Sequence, residues 1–260
     1  MKIYQVDAFA DQLFAGNPAA VCPLDKWLPD DIMQKLAMEN NLAETAFFVK
    51  QGEGSYHIRW FTPTVEVDLC GHATLASAYV LFNERGETVD TIRFQSKSGE
   101  LIVTRNGDMI TLDFPANFPE ETSVPAGLME GLNITSGKVY RAAWDYMVLL
   151  DSQQAVEQLD PDFLTLGKVE SRGVIVTAKG DDTDFVSRCF YPQSGINEDP
   201  VTGSAHTITT AFWSRQTGKT KLSARQLSKR GGYLDCELRG DRVLMSGKAR
   251  LYMRGEYFTA

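Results

Sequence analysis

The chain has 260 residues, enough for two domains or for one large all-β or barrel domain, and carries 26 Lys and Arg against 34 Asp and Glu, a formal charge of −8. With no basic cluster, that balance excludes the positive footprint a nucleic-acid partner requires, and 43% hydrophobic with 23% charged residues excludes a disordered chain. No apolar run approaches the roughly 18 residues needed to span a bilayer, and Asp7 interrupts the opening segment before a signal-peptide core can form, so a cytoplasmic protein with no membrane partner is expected.

In chain order, "KIYQVDAF" alternates as an opening strand and "NPAAVC" reads as a turn leading into a second. "PDDIMQKLAMENN" places Pro and two Asp before Ile32, Met33, Leu36 and Ala37 at helical spacing, which predicts an amphipathic helix ending near Asn40 and Asn41. "TAFFVK" and "YHIRWF" are strand-like on either side of the turn "QGEGS", and a helix follows over 71–83. "TIRFQS", "GELIVTR" and "MITLDF" continue the strands, the last two joined by Asn106-Gly107, a hairpin signal.

The segment "PANFPEETSVP" has three prolines and no apolar period, and marks a boundary between a domain over 1–117 and one over 118–260, with the extreme C-terminus free to pack back on the first. Beyond it the order recurs: strands over 138–150, a short helix near 152–158, strands "GVIVTA" and "DFVSRCFY", a helix over 203–216, then closing strands. One long-range duplication stands out. Phe61-Thr62-Pro63 leads to Asp68-x-x-Gly71-His72 and an apolar helix, and Phe190-Tyr191-Pro192 leads to Asp199-x-x-x-Gly203-Ser204 and another.

Both helices are rich in small residues, which lets strands approach all round them and predicts a central position for each. Gly71 and Gly203 fall where a helix begins, where unpaired N–H groups and the positive end of the helix dipole meet a backbone without Cβ. Two such openings facing one another across a cleft would suit a carboxylate or a developing enolate. The alternative is that Asp68, Asp199 and both glycines only shape turns; the recurrence, with His or Ser beside each glycine, favours function. Glu44, between a helix end and the strand "TAFFV", suits a general acid/base if apolar neighbours raise its pKa, yet from position alone it reads equally as a turn glutamate.

Cys22, Cys70, Cys189 and Cys236 form no CxxC pair, so reduced thiols are expected, and with His only at 57, 72 and 206 no metal site is expected. His57 reads as a strand side chain, His206 as a structural histidine, and Asn17 as a turn former at the border of a site. Cys70 reads first as core filling beside its helix.

The motifs "GNPAAV", "NLAETAFF", "FTPTVEVDLCGHATLA" and "EDPVTGSAH", in this order and covering essentially the whole chain, resemble the phenazine biosynthesis protein F (PhzF-like) family. The resemblance implies an α+β, diaminopimelate epimerase-like fold of two pseudo-symmetric domains, each a β-barrel-like sheet around one central helix, with the site between them and a homodimeric state. It implies an isomerase without cofactor acting on a small carboxylate. Glu44, His72 and Asp199 would be its catalytic residues, and Gly71, Gly203, Ser204, Cys70 and Thr202 would bind substrate. The related epimerases use two cysteines as paired bases; here Cys70 matches one and Thr202 stands at the other. That leaves a proline-type epimerase or dehydratase, and a non-catalytic metabolite-binding protein, as alternatives.

Overall fold

The computed structural model describes residues 1–259, which fall into two compact units: Met1–Phe114 together with the stretch from Met245 onward, and Pro115–Leu244. The last stretch thus belongs to the first unit.

In the first unit, β1 (Lys2–Ala8), β2 (Asn17–Leu24), β3 (Glu44–Gly52), β4 (Ser55–Phe61), β5 (Glu66–Val67), β6 (Thr91–Ser96), β7 (Gly99–Asn106) and β8 (Met109–Pro115) accompany α1 (Asp30–Asn40) and α2 (Gly71–Asn83). β1 and β2 run antiparallel, β2 and β3 parallel, and β3 and β4 antiparallel. β4 pairs antiparallel with β5 and parallel with β6, which pairs antiparallel with β7. The helix α2 lies against β1, β2 and β3, and ten of its thirteen residues are buried. Ala73, Ala76, Ser77 and Ala78 make that close approach possible, since small side chains keep the strand-to-helix distance short.

The second unit contains β9 (Glu120–Glu121), α3 (Leu128–Gly131), β10 (Lys138–Ala142), β11 (Asp145–Leu149), α4 (Gln153–Glu157), α5 (Phe163–Leu166), β12 (Gly173–Lys179), β13 (Phe185–Tyr191), β14 (Ile196–Asp199), α6 (Gly203–Thr217), β15 (Lys221–Gln226) and β16 (Gly232–Arg239). β17 (Arg242–Gly247) leads into β18 (Ala249–Glu256), which pairs antiparallel with β1 of the first unit. The pairing pattern of the first unit recurs. β10 and β11 are antiparallel, β11 and β12 parallel, and β12 and β13 antiparallel. β13 pairs antiparallel with β14 and parallel with β15, which pairs antiparallel with β16. In both units the central helix occupies the connection between the fifth and sixth strands of that series. The duplication seen in the two helix-leading motifs therefore extends to every strand pair of the core.

The strand at "NPAAVC" begins at Asn17 itself, which is fully buried, so the expected turn ends one residue earlier at Gly16. There φ is +65° and a Cβ would lie 2.1 Å from the Ala8 carbonyl oxygen, so only glycine fits. The short elements β9, α3, α5 and β14 were not legible, being two to four residues long, below the length at which periodicity can be read.

His206 is completely buried in α6; its Nδ1 hydrogen donates to the Thr202 carbonyl at 2.8 Å, and its ring lies 6.0 Å from that of Phe185. Burial pushes its pKa down to about 4. The unfolded chain takes up a proton on this ring below pH 6.5 or so, while the native chain does so only near its depressed pKa; stability is therefore expected to fall as pH drops through that window, by on the order of 3 kcal/mol for this group. Urea melts between pH 4.5 and 7 should show that slope, reduced by about one proton in His206→Gln.

A second expectation concerns Gly173, where a Cβ would sit 2.1 Å from the Tyr191 ring. Gly173→Ala should destabilise by about 1–3 kcal/mol in the same melts, because an overpacked core must shift to admit it.

Candidate active site

Each unit carries its own constellation at the opening of its central helix. In the first, α1 ends at Asn40, Asn41 reverses the chain in the left-handed conformation (φ 49°), and Glu44 opens β3. The parallel register sets Glu44 opposite Ala19 of β2, two residues beyond Asn17. α2 begins at Gly71 with Cys70 as its N-cap, and no side chain caps it. Backbone N–H donors at that opening remain for a ligand, at the positive end of the helix dipole.

His72, the second residue of α2, is the hub. Asn17 Nδ2 lies 3.2 Å from its Nδ1, Cys70 Sγ 3.5 Å from the same nitrogen, and Glu44 Oε2 3.3 Å from its Nε2. Donation from the Asn17 amide makes Nδ1 an acceptor, so the ring proton sits on Nε2, on the side of Glu44. Burial pushes the His72 pKa down to about 3, leaving the ring neutral at ordinary pH. The approach of Glu44 is thus not an ion pair, and its alignment is not that of a hydrogen bond. It places a largely buried carboxylate, its side chain 14% exposed, beside a donor that can turn toward either Glu44 or a ligand.

Glu44, Cys70 and His72 also offer metal-ligating atoms within 4.8 Å of one another.

In the second unit Asp199 ends β14, Thr202 is the N-cap of α6, and Gly203 and Ser204 are its first residues, again with no side-chain cap. Thr202 Oγ1 donates to Asp199 Oδ2 at 2.5 Å. Gln226, fully buried at the end of β15, accepts from the Thr202 N–H at 2.8 Å and donates to the Asp199 carbonyl at 2.6 Å and to Thr202 Oγ1 at 3.2 Å. Arg172, immediately before β12, donates through Nε to Asp145 Oδ1 at 2.9 Å, through Nη2 to Asp145 Oδ2, and through Nη2 to Ser204 Oγ at 3.1 Å.

The residues singled out from sequence therefore form two groups: Glu44, Cys70, Gly71 and His72 in one unit, and Asp199, Thr202, Gly203 and Ser204 in the other. Asn17, read as a turn former at the border, is a direct partner of His72. Cys70, read as core filling, is buried but also touches His72. Gln226, Arg172 and Asp145 were missed, because their contacts span 24 to 32 residues of sequence and no local pattern signals them. None of the four cysteines is in a disulfide among the described residues, and all are buried. Burial holds the Cys189 thiol, which lies against Thr202, well above the usual thiol range, so it is no ready base.

Comparison with known proteins gives a consistent assignment. Residues 6–255 match the family model described as phenazine biosynthesis-like protein. A relative described as an uncharacterized isomerase, from Pseudomonas aeruginosa, is 53% identical over 255 residues, covering 98% of each chain. The crystal structure of a phenazine biosynthesis protein of the PhzF family from Enterococcus faecalis superposes with a TM-score of 0.96 at 47% identity, covering 99% of both chains. A hydroxyproline epimerase from Agrobacterium vitis shares the fold, with a TM-score of 0.65 at 11% identity over 98% of this chain and 90% of that one. The duplicated core, the helix openings and these matches together show that the chain belongs to the phenazine biosynthesis-like (PhzF) family, with a diaminopimelate epimerase-like fold.

Proposed function

We propose that the protein is a cofactor-independent isomerase that moves a proton along a small unsaturated or cyclic carboxylate, with Glu44 as acid/base. The observation that carries this reading is the Glu44 carboxylate 3.3 Å from the buried His72, whose pKa burial pushes down, at an uncapped helix opening. Glu44 takes a proton from the carbon beside the carboxylate, the C–H electron pair passes into the conjugated system as a dienolate, and Glu44, its proton exchanging with solvent, delivers a proton at the far carbon. The double bond shifts and nothing is oxidised or reduced. His72 donates Nε2–H to the developing charge or steadies Glu44, and the backbone donors around Gly71 stabilise the enolate oxygen.

In the second unit, Asp199, Gly203 and Ser204 bind and orient the substrate, with Asp199 held by Thr202 and the Gln226 network. A substrate carbon acid needs a positioned base and a stabilised oxyanion together; removal of either is expected to cost about 10²- to 10⁴-fold.

Incubation in D₂O with trans-3-pentenoate, itaconate and L-proline, read by mass and NMR, tests the proposal. Deuterium should enter one of these probes with the parent protein and fall by about 10²-fold or more with Glu44→Gln. Unchanged exchange in that variant would remove Glu44 from the mechanism, and binding without exchange would favour a metabolite-binding protein.

A second reading, an epimerase or dehydratase using Cys70 and Thr202, draws on the 3.5 Å approach of Cys70 Sγ to His72. Against it, a neutral hydroxyl is a far weaker base than a thiolate or carboxylate, and Thr202 Oγ1 is already engaged with Asp199 and Gln226. Cys70→Ser should therefore retain most of the exchange. Loss in Cys70→Ser with Glu44→Gln unaffected would reverse the choice.

A further inference from the structure

The two units place chemistry around the second residue of their central helices, His72 in one and Ser204 in the other. In the first, the start of β2 supplies Asn17, the start of the parallel strand β3 supplies Glu44, and the second residue of α2, His72, meets both. In the second, the start of β11 supplies Asp145, the residue leading into the parallel strand β12 is Arg172, and the second residue of α6, Ser204, meets Arg172. Thr45 pairs with Phe61 as Val174 pairs with Phe190, so Gly173 is the counterpart of Glu44 and Arg172 stands one residue before that position. Neither Arg172 nor Asp145 belongs to the motifs by which the site was recognised in the sequence.

The local chemistry gives this position a task. Asp145 is 1% exposed and grips Arg172 through both carboxylate oxygens, a two-point fork that fixes the plane of the guanidinium. The Tyr191 ring lies 5.7 Å from the same group, packed against the bare backbone of Gly173. The side chain is nonetheless 43% exposed, and Nη1 has no protein acceptor among the described residues. Beyond Asp145, the guanidinium's hydrogen bond among the described residues goes to Ser204 Oγ.

A hydroxyl has one proton and two acceptor positions. With an Arg172 N–H on one acceptor position, the Ser204 proton is turned away from the guanidinium, and the neighbouring cation makes that hydroxyl a better donor. One acceptor position stays open, but the adjacent guanidinium charge repels an ammonium there and favours an ionised carboxylate or enolate oxygen that accepts the Ser204 proton.

We propose that Arg172, held by Asp145, is a positioning residue that fixes the Ser204 hydroxyl as a hydrogen-bond donor and so selects an anionic oxygen of the substrate at the opening of α6. This rests on the reading of Ser204 as substrate-binding and of Glu44 as acid/base.

The test uses itaconate as probe and Glu44→Gln as background, so that binding is read without chemistry. Arg172→Lys keeps a cation on buried Asp145, and with it the fold, but loses the fork that reaches Ser204; a thermal melt checks the fold. By titration calorimetry, Arg172→Lys and Ser204→Ala should each weaken itaconate by about 10- to 100-fold, the scale of a lost charge-assisted hydrogen bond. The double variant should bind no more weakly than Ser204→Ala alone, because Arg172 acts through that hydroxyl. An unchanged dissociation constant in folded Arg172→Lys, or additive losses in the double variant, would overturn the proposal while leaving Glu44 as acid/base. Absence of itaconate binding in the Glu44→Gln background, with deuterium exchange into itaconate by the parent also absent, would overturn the substrate reading and this inference with it.

Discussion

Everything proposed for the first unit depends on the desolvation of His72. A protonated imidazole 3.3 Å from Glu44 would form a buried ion pair, stabilise the carboxylate and weaken it as a base. Burial prevents this by disfavouring the charged ring, so Glu44 has a neutral neighbour instead of a counter-ion. The ring's orientation depends on Asn17, whose side chain reaches it from the first residue of β2. That reach is possible because α2, built of small residues, lies close against the strands around it.

The second unit uses the same scaffold to a different chemical end. Where the first sets a neutral imidazole beside a carboxylate, the second sets a hydroxyl beside a clamped guanidinium and ties its aspartate to the backbone through Gln226 and Thr202. Proton transfer needs a group free to change charge; substrate selection needs groups that cannot. Repetition of the strand order supplies both from one topology, with different residues around the second position of each central helix.

The larger features were legible because they are local. The small-residue helices announced their central position, and Gly71 and Gly203 fell at the first residue of α2 and α6. The hairpin at Asn106-Gly107 and the helix ending at Asn40 follow from turn chemistry and apolar spacing. What escaped was long-range. Asn17 sits in a sequence that looks like a turn and becomes a buried strand residue only because β1 and β3 flank it. Gln226 is one polar residue at the end of an alternating strand, and nothing nearby says that its amide will cap the Asp199 loop. Arg172 and Asp145 look like surface charges until a parallel strand pair brings them together. A family resemblance could name Glu44, yet position alone gave it no advantage over any turn glutamate; its case comes from its neighbours.

The most direct test of the central claim is the protonation state of His72, read from the ¹⁵N chemical shifts of its two ring nitrogens across pH in labelled protein. The account predicts a neutral ring with the proton on Nε2 from pH 7.5 down to at least pH 5, unchanged in tautomer throughout. An imidazolium at neutral pH, or a proton resident on Nδ1, would contradict it, because Glu44 would then face either a fixed counter-ion or a bare lone pair.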